Sequence, residues 1–144
     1  MDEKLKELID GLNEDLANEY AASIMYTNYA AMVSGLFRQT LKPFFEGEIS
    51  DEQGHAIYLA EKIATLGGTP TVSPAEVKQT TDVKEMLESA YQAEKETIDR
   101  YETRKKQAEE LGLTELVVKL EDLISDETGH MEELGRILAD SRFE

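Results

Sequence analysis

The only two histidines of this 144-residue chain stand in Glu52-Gln53-Gly54-His55 and Glu127-Thr128-Gly129-His130, each three residues after a glutamate. On a helix, residues three apart share a face, so each pair can bring a carboxylate and an imidazole to one metal ion. A partner glutamate lies 33 residues upstream of each pair, Glu19 before Glu52 and Glu94 before Glu127. A lone Glu-x-x-His is common. Two copies in register, each with the same upstream partner, point to two metal positions built alike.

The register reflects an internal repeat. Ile49-Ser50-Asp51-Glu52-Gln53-Gly54-His55 returns as Ile124-Ser125-Asp126-Glu127-Thr128-Gly129-His130, 75 residues later and with one difference. The same offset relates Glu19 to Glu94, Tyr26 to Tyr101 and Leu12 to Leu87. One hairpin written twice, with pseudo-twofold symmetry between the halves, accounts for this pattern.

The four glutamates interrupt apolar stripes near the middle of each segment. They therefore face a core, where even one isolated charge costs several kcal/mol. Two divalent cations would balance four carboxylates, with His55 and His130 as neutral nitrogen donors. Carboxylate and imidazole donors without sulfur suit iron or manganese, iron first, and leave a mixed pair open. The chain has no cysteine, which removes thiolate zinc sites, iron–sulfur clusters and disulfides.

The elements that must position these residues follow from helical periodicity. Four helices are expected over about 3–34, 38–66, 82–111 and 113–140, in an all-α bundle forming one domain over 1–144. Gly35, Gly67-Gly68 and Gly112 mark the ends, and Asp82 with Glu85 three residues on marks the start of the third helix. The first and third links are short and force antiparallel neighbours. The second, from Gly67 to Thr81, can reach about 45 Å, against about 42 Å for a helix of about 28 residues. Two antiparallel hairpins joined by a long crossover are expected, which makes the second and third helices parallel.

The formal charge of −16 argues against a nucleic-acid- or membrane-binding surface and favours cations as partners. No segment approaches a membrane span and the opening residues, Asp2 and Glu3 among them, are not signal-like, so a cytoplasmic protein is expected.

Taken together, these residues resemble the ferritin-like di-iron proteins. The likeness to bacterioferritin runs through Leu12-Asn13, Asn18-Glu19, Asp51-Glu52-x-x-His55-Ala56, Leu66-Gly67-Gly68-x-Pro70, Glu94-Lys95-Glu96-x-Ile98 and Asp126-Glu127-x-x-His130. The resemblance implies that Glu19 and Glu94 are terminal ligands, that Glu52 and Glu127 bridge, and that His55 and His130 each cap one iron. It implies a ferroxidase that oxidises Fe(II) with oxygen or hydrogen peroxide, serving iron storage and protection from oxidative stress. It also implies a homo-oligomer, a dimer, 12-mer or 24-mer. The family's haem-binding Met is replaced by Gln53, so no haem is expected, and the chain stops about where the fifth helix of the 24-subunit cage would begin. Two other readings stay open: a rubrerythrin-like peroxidase with an external electron donor, and a non-catalytic bundle held by metal.

Four residues around the six candidates are expected in supporting roles. Tyr26 and Tyr101 lie two helical turns after Glu19 and Glu94, within reach of site carboxylates, although core packing explains them equally. Asp51 and Asp126 are placed to orient a histidine on the neighbouring helix. Glu96 competes with Glu94 but breaks the 33-residue spacing. Gly54 and Gly129, inside helices at a cost of about 1 kcal/mol each relative to alanine, fit either a close contact or simple inheritance from the duplication.

Overall fold

The computed structural model describes residues 2–144 and contains four long helices: α1 (Glu3–Met32), α2 (Arg38–Thr65), α3 (Val83–Glu110) and α4 (Thr114–Leu138). The Asp2 and Asp82 side chains cap α1 and α3 by accepting from Leu5 N at 3.2 Å and Glu85 N at 2.9 Å. α1 ends two residues before the expected Ser34, because Val33 turns extended and Gly35 takes φ +85°. The Arg38 guanidinium then donates to Val33 O at 2.6 Å and satisfies a carbonyl that the helix end exposes. Pro43 is accommodated inside α2. After α4 the chain makes a single 3-10 turn over Ser141–Phe143, and the Phe143 ring packs on Phe37 with centroids 5.1 Å apart.

Two apolar clusters define the topology. One joins Leu8, Leu12 and Leu16 of α1 with Leu59 and Ile63 of α2, Tyr101 and Ala108 of α3, and Leu116 and Leu120 of α4. The other joins Tyr26, Tyr29 and Val33 with Leu41 and Phe45, Met86 and Leu87, and Leu134. Each cluster takes opposite ends of α1 and α2, and opposite ends of α3 and α4, so both pairs are antiparallel hairpins. The start of α2 meets the start of α3, which makes these two helices parallel, as the long second link requires.

That link, without helix or strand between Thr65 and Val83, is tied along α1 in sequence order. Asn13 accepts from Thr71 N at 2.8 Å and donates to Thr69 O, Ala17 O accepts from Ala75 N at 2.9 Å, and Tyr29 donates to Lys78 O. The crossover thus travels the length of the bundle. Gly68 lets it leave α2, since a Cβ there would stand 2.5 Å from the Ile9 side chain.

The duplicated halves have diverged at their ends. Asp15 of α1 accepts from Arg104 of α3 at 2.7 and 3.0 Å in a buried bidentate pair. Gly11 is needed beneath it, because a Cβ would lie 2.2 Å from the guanidinium. Seventy-five residues away from Gly11, Asp15 and Arg104 stand Met86, Ala90 and Tyr29, all apolar filling at the opposite end. Burial outweighs the pull of Arg104 and raises the Asp15 carboxyl above its ordinary value.

Candidate metal centre

Between the two apolar clusters lies a polar layer. Glu19, Glu52, Glu94 and Glu127 reach it from the middles of α1, α2, α3 and α4, and each is at most 2 % exposed. His55 is also buried, and His130 nearly so. The i, i+3 spacing places each histidine beside its glutamate. Glu96, by contrast, is on the exposed side of α3 and accepts a bond from Gln92.

The layer divides into two groups of donors. Around His55 Nδ1 stand Glu127 Oε1 at 3.1 Å, Glu19 Oε2 at 3.6 Å and Glu52 Oε2 at 4.0 Å. Around His130 Nδ1 stand Glu48 Oε2 at 2.9 Å, Glu127 Oε1 at 3.6 Å, Glu52 Oε1 at 3.7 Å and Glu94 Oε2 at 3.8 Å. Glu52 turns one oxygen to each histidine, and Glu127 Oε1 lies between them. Glu48 was not foreseen from the sequence. It sits one turn before Glu52 on the same face of α2, but its repeat counterpart is Leu123, so reasoning from the duplication passes over it. With it, the layer holds five carboxylates rather than four, and two divalent cations no longer balance the charge.

Seven atoms in this layer are buried without a hydrogen-bond partner: Glu19 Oε2, Glu48 Oε2, Glu52 Oε1, His55 Nδ1, Glu94 Oε2, Glu127 Oε1 and His130 Nδ1. Among the described residues, the only other such side-chain atom is Arg100 Nε. Buried polar groups without partners are rare because each costs about 1–3 kcal/mol. Seven of them converging on one volume fit a donor set for cations, and two four-residue sets emerge: Glu19, Glu52, His55 and Glu127; and Glu48, Glu52, Glu94 and His130.

The supporting residues cross between hairpins. Tyr26 of α1 donates to Glu94 Oε1 of α3 at 2.7 Å, and Tyr101 of α3 donates to Glu19 Oε1 of α1. Asp126 of α4 lies 3.3 Å from His55 Nε2, and Asp51 of α2 lies 3.1 Å from His130 Nε2. Each aspartate engages the outer ring nitrogen and leaves Nδ1 facing the layer.

Without a cation, the groups of the layer shift one another's proton affinities. Burial pulls both histidines down, but the carboxylates outweigh it: Glu19 and Asp126 raise His55, while Glu48 and Glu94 raise His130 to about 10. Burial, reinforced by the neighbouring Glu19 charge, pushes Glu52 well above the carboxylate range. Burial works the same way on Glu19, but Glu52 and His55 outweigh it and hold Glu19 low. Burial raises Glu94 against the pull of His130 and Tyr26. Tyr26 and Tyr101 are kept protonated by burial and by Glu94 and Glu19 respectively. A cavity of about 420 Å³ opens between α1 and α3 beneath the crossover, with Asn18, Glu76, Glu96 and Arg100 in its walls and Glu52 and Glu94 at its inner end.

Four helices, a central carboxylate and histidine layer and a long crossover define the class of ferritin-like four-helix proteins. The chain belongs to that family: the model of the family described as Ferritin, ferritin-like domain, matches residues 9–143. It is 29% identical to the bacterial ferritin of Neisseria meningitidis serogroup A over 135 residues, covering 91% of this chain and 88% of that protein. A ferritin-like, diiron-carboxylate protein from Bacillus anthracis superposes with a TM-score of 0.95 at 70% identity, over 96% of this chain and 99% of that one. A Dps protein from Bacillus brevis shares the fold, with a TM-score of 0.87 at 19% identity over 96% and 99% of the two chains.

Proposed function

We propose that the chain binds a pair of iron ions and acts as a ferroxidase, oxidising Fe(II) with oxygen or hydrogen peroxide for iron storage or detoxification. The observation that carries this reading is the convergence of buried, unpartnered donor atoms from all four helices on one volume. Glu19, Glu52 and Glu127 with His55 would hold one ion, and Glu52, Glu94 and Glu127 with His130 the other. When bound, the iron pair supplies two electrons, one from each ion, which reduce one hydrogen peroxide and two protons to two waters, or one oxygen and two protons to hydrogen peroxide. Manganese suits the same donors and is the alternative metal.

The surrounding residues have defined tasks. Asp51 and Asp126 hold the imidazoles with Nδ1 inward. Tyr26 and Tyr101 fix the carboxylates of Glu94 and Glu19 by donating to the oxygens turned away from the histidines. The acidic cavity between α1 and α3 is the proposed path for Fe(II), since its Glu76 and Glu96 attract cations. Ile24, Ile57 and Val72 form an exposed apolar face around a hollow bounded by Tyr20 and Pro74; the proposed protein covers it in a homo-oligomer.

Adding Fe(II) anaerobically to metal-free protein, then admitting oxygen or peroxide, tests the reading by near-ultraviolet absorbance. Rapid oxidation that disappears in a Glu52→Ala, Glu127→Ala double variant is expected. Metal binding without faster oxidation would leave a bundle held by metal, and peroxide turnover only with an added reductase would favour a peroxidase.

A further inference from the structure

The repeat allows two equivalent metal positions without requiring them, and the structure makes them unequal. Four carboxylates lie within 4 Å of His130 Nδ1, and three lie within 4.0 Å of His55 Nδ1. The difference is Glu48. Its counterpart on α4, Leu123, is buried in the apolar cluster at the other end of the bundle and offers nothing to His55.

Glu48 is also placed as a donor aimed at an ion. It is 7 % exposed. Its Oε2 approaches His130 Nδ1 to 2.9 Å, yet neither atom has a hydrogen-bond partner. A carboxylate oxygen and an imidazole nitrogen this close, and not paired in a hydrogen bond, are placed as one cation bound to both would require. Glu52 Oε1 and Glu94 Oε2, likewise unpartnered, face the same spot.

Resting on the two-metal reading above, we infer that Glu48 is a seventh metal ligand, confined to the His130 position, and that this position fills first. An additional carboxylate on one side adds a charge to that donor set alone, and ligand charge count is a principal determinant of affinity among oxygen-donor sites. The six-residue centre is thereby ordered: one ion seats beside Glu48, and the second completes the pair beside His55.

The test is an anaerobic calorimetric titration of the metal-free protein with Co(II), together with anomalous diffraction from crystals given one Co(II) per chain. Two ions per chain with affinities differing by about tenfold or more are expected, and the first ion should appear beside His130 with Glu48 in its coordination shell. In Glu48→Gln, which keeps the side-chain shape and removes a buried charge, the tighter step should weaken until the two affinities converge. Two equal steps in the unaltered protein would overturn the inference, as would a ratio unchanged in Glu48→Gln or a first ion beside His55. Those results leave the two-metal reading standing, whereas fewer than two ions per chain would remove that reading and this inference together. The diffraction arm needs no variant, so it decides the matter even if Glu48→Gln fails to fold.

Discussion

Asp126 and His55 meet across the α2–α4 seam, with Oδ2 of the one 3.3 Å from Nε2 of the other, and this contact leaves Nδ1 as the ring atom facing the carboxylates. Asp51 does the same for His130 at 3.1 Å. The aspartates are exposed while the histidines they hold are not, so orientation is imposed from outside the layer. Asp126→Asn and Asp51→Asn are expected to keep a stoichiometry of two ions while weakening metal binding by about 10–100-fold, measured by calorimetry with Co(II).

The tyrosine pair acts on the carboxylates instead. Tyr26→Phe removes the only hydrogen bond that the structure gives Glu94, and Tyr101→Phe does so for Glu19. A hydrogen bond to a charged group is worth about 1.5–3 kcal/mol. Each variant should lose about that much stability when metal-free and less when loaded with metal, as read by chemical denaturation with and without Mn(II).

Acidity should act in a fixed direction. His130 is held at about 10 when folded, above its ordinary 6.5, so it contributes stability that is complete below 6.5 and lost as pH rises through about 10. Glu52 adds to the trend, since its raised carboxyl stays neutral in the folded chain after the unfolded one has ionised, which lowers stability above 4.5. The metal-free protein should therefore melt at lower temperature as pH rises from about 6 to about 9. Metal displaces these protons, so the rise in melting temperature caused by Mn(II) should grow with pH between about 6 and about 8. Calorimetric scans across that range check both slopes.

Away from the centre, Asp15 depends on Arg104. Arg104→Met leaves the buried Asp15 carboxylate with only the more distant Arg100, 3.8 Å away, and should cost up to about 3–5 kcal/mol; adding Asp15→Asn should return part of it, both measured by denaturation.

A Cβ added at Gly54 or Gly129 would meet no neighbour within 4 Å, so close packing within the chain does not explain these glycines. Gly54→Ala and Gly129→Ala should each stabilise by about 1 kcal/mol; a fall in stability would mean that these faces are covered in an oligomer.

Much of this arrangement was legible in the sequence because the duplication writes each feature twice. Helix ends at Gly67 and Gly112, the convergence of Glu19, Glu52, Glu94 and Glu127, and the inward histidines all follow from periodicity and the 75-residue offset. The same symmetry hid what occurs once. Glu48 faces the layer opposite no counterpart, and the Asp15–Arg104 pair occupies one end of the bundle only. Both were marked by helical spacing, Glu48 four residues before Glu52 and Asp15 four before Glu19 on the same faces. In an acidic chain such positions are not distinguished from solvated ones until the burial is known.

The central claim is that two metal positions lie between the four helices. Anomalous diffraction at the iron edge from crystals loaded anaerobically with excess Fe(II) tests it most directly. The account predicts two peaks about 3.5–4 Å apart, one beside His55 and one beside His130, with Glu52 reaching both. A single peak, or iron only on the exposed carboxylates of the surface, would contradict it.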